Sequence, residues 1–159
     1  MTKQMPITLN GAGKGELRLQ FAALCWRRKK GKLQVLLVTS RGRKRWIVPK
    51  GWPMDGKTPP DCALVEAWEE AGVQGKAAAQ PVGSYSYTKA GAQGPLPCLA
   101  MLYPVKVKAL AKHYPERGQR QRQWCSRKKA ARLVDNADLA RLIRDFEPEA
   151  AAEERSPSA

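Results

Sequence analysis

The chain has 159 residues, 43% apolar and 27% charged, the length and balance of one globular domain with enough apolar surface for a core around a sheet. Its 29 Lys and Arg against 14 Asp and Glu give a formal net charge of +15, which points to a polyanionic partner (nucleic acid, anionic lipid or a polyphosphorylated small molecule) without choosing among them. Four scattered cysteines and a single histidine, His113, exclude a zinc site, and no apolar run approaches the roughly 20 residues of a membrane span.

The opening Met1–Glu16 is polar and Gly-rich with no apolar stretch of the signal-peptide kind. Residues 1–15 are expected to be a flexible segment ahead of a domain spanning 16–146, and the protein is expected to be cytoplasmic, with Cys25, Cys62, Cys98 and Cys125 as reduced core cysteines. Leu17–Trp26 alternates and then becomes continuously apolar, which predicts a strand entering a buried sheet. The basic stretch Arg27–Lys32 reads as the turn of a hairpin into a second strand, Leu33–Thr39. A short strand, Arg45–Val48, stops at Pro49, and a Gly/Pro loop, Lys50–Lys57, leads to a helix. Thr58 suits the N-cap, Pro59 the first helical position, Asp61 the first turn, and Gly72 the left-handed residue that ends the helix. Strands follow at Pro81–Lys89, Leu96–Val107 and Gln121–Cys125, then helices at Ser126–Val134 and Ala137–Phe146. From Glu147 on, Ala, Glu, Ser and Pro dominate, so 147–159 is expected to be a disordered tail.

The helix after Thr58 carries the chemistry. Glu66, Glu69 and Glu70 stand at i, i+3 and i+4, within one turn of one another. Leu64, Ala67, Trp68 and Ala71 define the opposite, apolar side, so the expectation is a helix docked by that stripe with three carboxylates pointing outward together. A Glu-rich helix face is often only solvated. Two features favour a metal site: the Gly-bearing loop before the helix, and the fact that this acidic cluster opposes the sign of the whole chain. Clustered carboxylates without imidazole or thiol suit a hard ion, Mg²⁺ or Mn²⁺.

Gly51 through Val73 resembles the Nudix box. Gly51, Glu66, Ala67, Glu69, Glu70, Gly72 and Val73 fall on its pattern in register, while Lys57 stands where its first glutamate belongs and Val65 where its arginine belongs. Arg45–Pro49 before the box and Glu69–Gly75 at its end are similar to the diphosphoinositol polyphosphate phosphohydrolase branch. The resemblance implies an α/β (α+β) fold, an α/β/α sandwich with a mixed sheet and the box helix packed on it. It also implies ions held by Glu66 and Glu70, with Glu69 as base or further ligand and the backbone carbonyl of Lys50 completing the shell. Arg18, Ser40 and Arg41 fall where that branch contacts substrate phosphates, with Thr39 beside them as a further candidate, and Arg120 and Arg122 near Trp124 make a second candidate clamp.

The expected function is metal-dependent cleavage of a phosphoanhydride in a highly anionic substrate, a diphosphoinositol polyphosphate or a dinucleoside polyphosphate, through the charge that metals bring to phosphoryl oxygens and attacking water. Two alternatives stay open: a pyrophosphohydrolase of RNA 5′ ends, and a catalytically silent polyanion-binding module, motivated by Lys57 and Val65. Nonspecific nucleic-acid binding is compatible with the charge, a membrane partner is not expected, and the sequence does not set the oligomeric state.

Overall fold

The computed structural model describes residues 7–8, 17–92 and 94–148; most of the expected leading segment and the expected tail from 149 lie outside the described residues. Among the described residues nine strands form one mixed sheet. Its spine is β2 (Arg18–Lys29) and β8 (Leu96–Leu110), parallel and in register from Arg18 opposite Cys98 to Trp26 opposite Lys106. Along β2, Phe21, Ala23 and Cys25 turn to one face while Ala22 and Leu24 turn to the other, and both faces are buried, which explains the continuous apolar run. The short strand β1 (Ile7–Thr8) pairs with Leu19 and Arg18, so at these two residues the expected flexible segment is replaced by sheet.

β2 returns as β3 (Lys32–Thr39) through Lys30 and Gly31, both left-handed with φ of 52° and 77°. Two consecutive positive-φ residues make the tight turn whose twist matches an antiparallel pair. Most of the basic stretch Arg27–Lys32, expected to be turn, is therefore strand, because the turn needs only its two central residues.

Past the pair Trp26–Val35, β2 and β3 splay apart and the chain itself fills the gap. β4 (Trp46–Ile47) lies against Val38 and Thr39 of β3, and β5 (Lys50–Gly51) lies against Phe21 and Ala22 of β2. The amide of Ala23 donates to the carbonyl of Pro49 at 2.9 Å, closing the wedge. The predicted loop from Lys50 thus begins as sheet, with Lys50 and Gly51 on opposite faces.

α1 (Pro59–Ala71) covers one face of the sheet, and α2 (Arg127–Leu133) with α3 (Ala137–Arg144) covers the other, the expected sandwich. Ser126 and Asn136 cap α2 and α3, accepting from the amides of Lys129 at 3.1 Å and Leu139 at 2.9 Å. β7 (Gly83–Lys89) and β6 (Val73–Ala77) share the outer edge of β8, and β9 (Arg122–Ser126) completes the edge beyond β3. β6 was not expected: its alternation is broken by Gly75, whose Cα lies against the carbonyl of Lys106 at a register shift. Leu24, Leu37 and Leu102 are fully buried on the α2–α3 face, each contributing about 1.5–3 kcal/mol of transfer free energy. All four cysteines are buried free thiols. Among the described residues no helix is long and apolar enough to cross a membrane.

Candidate functional site

The ends of α1 form as the sequence predicts. Thr58 Oγ1 accepts from the amide of Asp61 at 3.3 Å, Pro59 opens the helix, and Gly72 ends it at φ 68°. Its buried face does not. Cys62, Ala63, Glu66, Ala67, Glu70 and Ala71 are buried, whereas Leu64 and Trp68, expected in the interface, are half-exposed at its sides. The small residues Ala63, Ala67 and Ala71 let the helix approach the sheet closely, which draws Glu66 and Glu70 inward with them. Glu66 is 1% exposed and Glu70 6%.

The expected outward trio of carboxylates is therefore an inward pair with a neighbour. Seen down a helix, i+4 lies about 40° to one side of i and i+3 about 60° to the other, so Glu70 stays with Glu66 on the inner face and Glu69 swings half-exposed to the rim. Among the described residues no three Asp, Glu, His or Cys side chains converge on one point.

Glu66 lies on the backbone of Gly51, where any Cβ would collide with its carboxylate. Gly51 is thus required by close approach, not by turn geometry. Glu70 meets Arg120, whose Nη2 is 3.7 Å from its Oε2, while its Oε1 is buried with no hydrogen-bond partner among the described residues. Burial pushes the Glu70 carboxyl up to about 8, with nearby Glu66 adding to the shift and Arg120 and Lys50 opposing it. Burial likewise brings Lys50 down to about 8 against the pull of Glu70. The Lys50 ammonium sits 4.9 Å above the ring of Tyr87 on the face away from α1.

A segment from Ala111 to Arg122 straps the last turn of α1. The amide of Ala111 donates to the Gly72 carbonyl at 2.8 Å, and that of Glu116 to the Glu69 carbonyl at 3.0 Å. Arg122, expected as a substrate clamp, donates instead to the carbonyls of Ala71 at 2.6 Å and Ala111 at 3.0 Å, with its guanidinium over the ring of Tyr114. At Ala71 it satisfies a carbonyl that a helix C-terminus leaves open. Thr39 is buried, its hydroxyl accepting from the amide of Gln121 at 2.9 Å and its carbonyl from Arg120 at 3.1 Å, so the position expected near phosphate anchors the strap. Ser40 Oγ accepts from the amide of Arg45 at 2.9 Å and closes the following loop. Arg41 is exposed beyond it, reaching Gln119 at 3.3 Å, and Arg18 is half-buried on β2. Lys57 is exposed, and Val65 packs on the α1-side core.

A cavity of about 330 Å³ opens on the other side of Lys50, walled by Trp46, Tyr85, Tyr87 and Leu139 with Arg45 and Asn136 among its polar groups. No local spacing in the sequence announces it, because its walls come from β4, β5, β7, the turn between α2 and α3, and α3 itself. The strap role of Arg120 was hidden for the same reason.

The donor set fits a divalent cation: two buried carboxylates, and Oε1 of Glu70 buried with no hydrogen-bond partner among the described residues. Paired carboxylate oxygens suit a hard ion such as Mg²⁺ or Mn²⁺.

The family model described as "NUDIX domain" matches residues 16–146. Nudix hydrolase 12, mitochondrial, of Arabidopsis thaliana is 32% identical over 119 residues, 72% of this chain and 59% of that protein. The chain thus spans less than two thirds of the length of this relative. Diphosphoinositol polyphosphate phosphohydrolase 3-alpha of Mus musculus is 42% identical over 55 residues, 35% of this chain and 34% of that protein. Among solved structures, the C. elegans Ap4A hydrolase superposes with a TM-score of 0.60 at 19% identity, covering 84% of this chain and 98% of the other.

Proposed function

The chain belongs to the NUDIX domain family, and on that premise we propose that it is a metal-dependent hydrolase of phosphoanhydride bonds in a highly anionic substrate. The observation that carries this reading is the buried pair Glu66 and Glu70 on α1, with Oε1 of Glu70 left for a cation. Glu66 and Glu70 would hold Mg²⁺ or Mn²⁺, with the backbone carbonyl of Lys50 beside Gly51 as a further donor. Bound there, such an ion would polarise phosphoryl oxygens and lower the pKa of the attacking water. Glu69, half-exposed at the rim, would take a proton from that water. Arg18, Ser40 and Arg41 would grip the phosphates, and the Lys50 ammonium would offer them a further positive charge from the cavity. Arg122 belongs to the strap and Thr39, at the end of β3, anchors it.

A dinucleoside polyphosphate fits best. Trp46, Tyr85 and Tyr87 wall the cavity, and aromatic faces suit a nucleobase rather than a cyclitol. The diphosphoinositol reading is kept by the likeness to the mouse enzyme over 55 residues. The buried free thiols suit a reducing compartment, which supports the cytoplasm as its location. Purified protein with Mg²⁺ should release nucleotide from diadenosine tetraphosphate faster than phosphate from a diphosphoinositol polyphosphate. The reverse order would move the assignment to the inositol class, and no cleavage of either, with Mg²⁺ or Mn²⁺, would overturn the hydrolase reading.

A further inference from the structure

The last turn of α1 is electrostatically awkward. Glu69 and Glu70 stand at the helix end where the backbone dipole already disfavours negative charge, and that turn contains no basic residue. The compensating charge comes from the strap. Arg120 is almost completely buried, its side chain 9% exposed, and its guanidinium is shared among three elements. It donates to the Thr39 carbonyl at the end of β3 at 3.1 Å, to Oε1 of Glu116 at 3.0 Å, and it faces Oε2 of Glu70 at 3.7 Å. It lies nearer the strap carboxylate than the helix carboxylate. Glu70 Oε1, the other oxygen, has no hydrogen-bond partner among the described residues.

We propose that Arg120 is a built-in counter-cation: it holds one oxygen of Glu70, aims the other at the ion position, and by its fixed charge lowers the affinity of that position for a divalent ion. Glu116 is the counterweight, drawing the guanidinium toward the strap and so restoring part of that affinity. The inference rests on the reading that Glu66 and Glu70 hold the ion. A guanidinium stays charged at any pH the fold survives, so its repulsion of an incoming dication is permanent. Its hydrogen bonds to the Thr39 carbonyl and to Glu116 keep it from swinging away when the ion arrives. The affinity is then tuned from outside α1, by the balance between one strap cation and one strap carboxylate. Arg120 is in this sense a positioning residue.

Mn²⁺ titration of the full chain without substrate, read by electron paramagnetic resonance, separates this from a merely structural tether, which would not move ion affinity in opposite directions in two variants. Arg120→Met should bind Mn²⁺ about three- to thirtyfold tighter, the range expected when a unit charge a few ångströms from a partly buried dication is removed. Arg120→Lys, which keeps the charge, should stay close to the unaltered protein. Glu116→Gln should bind about threefold or more weaker, since it removes a nearby negative charge and releases Arg120 toward Glu70. Unchanged affinity in Arg120→Met, or a shift of the same sign in Arg120→Met and Glu116→Gln, overturns the proposal. Should Arg120→Met fail to fold, Glu116→Gln decides alone: weaker binding supports the counter-cation, and equal or tighter binding refutes it. If the unaltered protein binds no Mn²⁺, the ion reading of Glu66 and Glu70 has failed and this inference falls with it, an outcome distinct from binding that ignores Arg120.

Discussion

The Cα of Gly51 lies directly under the carboxylate of Glu66, so close that a methyl group at 51 would overlap the carboxylate carbon and both oxygens. Gly51→Ala must therefore lift α1 or turn Glu66 out of its rotamer. The overpacking should cost about 1–3 kcal/mol and weaken Mn²⁺ binding together with it. Gly42→Ala, whose Cβ would meet open space, is the control and should leave both unchanged. Denaturant midpoints and ion titrations on both variants check this, and an unaltered Gly51→Ala would show that the helix is not seated on β5.

Glu66, Glu69 and Glu70 should separate by role. Glu66→Gln and Glu70→Gln each remove a charged donor, so turnover should fall about a hundredfold or more, the scale of losing one strong electrostatic contribution, and Mn²⁺ affinity should fall with it. Glu69→Gln should lower turnover while leaving Mn²⁺ affinity near its original value, because Glu69 sits at the rim. Equal loss of ion affinity in all three variants would make Glu69 a ligand and not the base.

Metal binding should be linked to protons. Burial raises the Glu70 carboxyl from its ordinary value of 4.5 toward about 8 in the metal-free fold. A carboxyl raised on folding is protonated in the fold and ionised in the unfolded chain between those values, so its contribution to metal-free stability declines as pH rises from 4.5 toward about 8. A cation demands the ionised form, so near neutral pH its binding should release a proton and its affinity should climb with pH up to about 8. Titration calorimetry in two buffers of different ionisation enthalpy measures the release. Glu70→Gln should flatten the slope of metal-free stability over the same window.

The two arginines differ in kind. Arg122→Ala leaves the carbonyls of Ala71 and Ala111 without their donor, which should cost about 1–3 kcal/mol with little change in KM. Arg41→Ala should leave stability alone and raise KM more for a tetraphosphate than for a nucleoside diphosphate derivative, since Arg41 is exposed beyond the site. Thermal melts and Michaelis curves on the pair test it, and a stability loss for Arg41→Ala would move it into the scaffold.

What could be read in advance was local. Thr58, Pro59 and Gly72 announce the ends of α1 because capping depends on residues within one turn. The spacing of Glu66, Glu69 and Glu70 on one helix could be read for the same reason, since all three fall within one turn. The buried side of α1 was misjudged because Leu64 and Trp68 outweigh Ala63 and Ala67 in any count of apolar residues. Close approach to a sheet selects small side chains instead, and only the partner surface reveals that. The strap, with Arg120 and Arg122 joining α1 from fifty residues away along the chain, and the cavity behind Lys50 depend on segments brought together by the sheet alone. Arg122 illustrates the loss: an arginine beside a tryptophan reads as a clamp for anions until its acceptors are known.

The splay between β2 and β3 fixes how the protein can change length. Side chains alternate across a strand, so adding or deleting one residue ahead of the pairs Ala22–Lys50 and Phe21–Gly51 would exchange their faces. The lysine would then be thrust under Glu66, where even a methyl does not fit, and the cavity would lose its ammonium. The connection between β7 and β8 has no such constraint, because it runs through exposed residues such as Ala90 and Pro95. Insertions and deletions should therefore accumulate around residues 90–95 in descendants of this chain, while the stretch from Trp46 to Gly51 keeps its length even where its residues change.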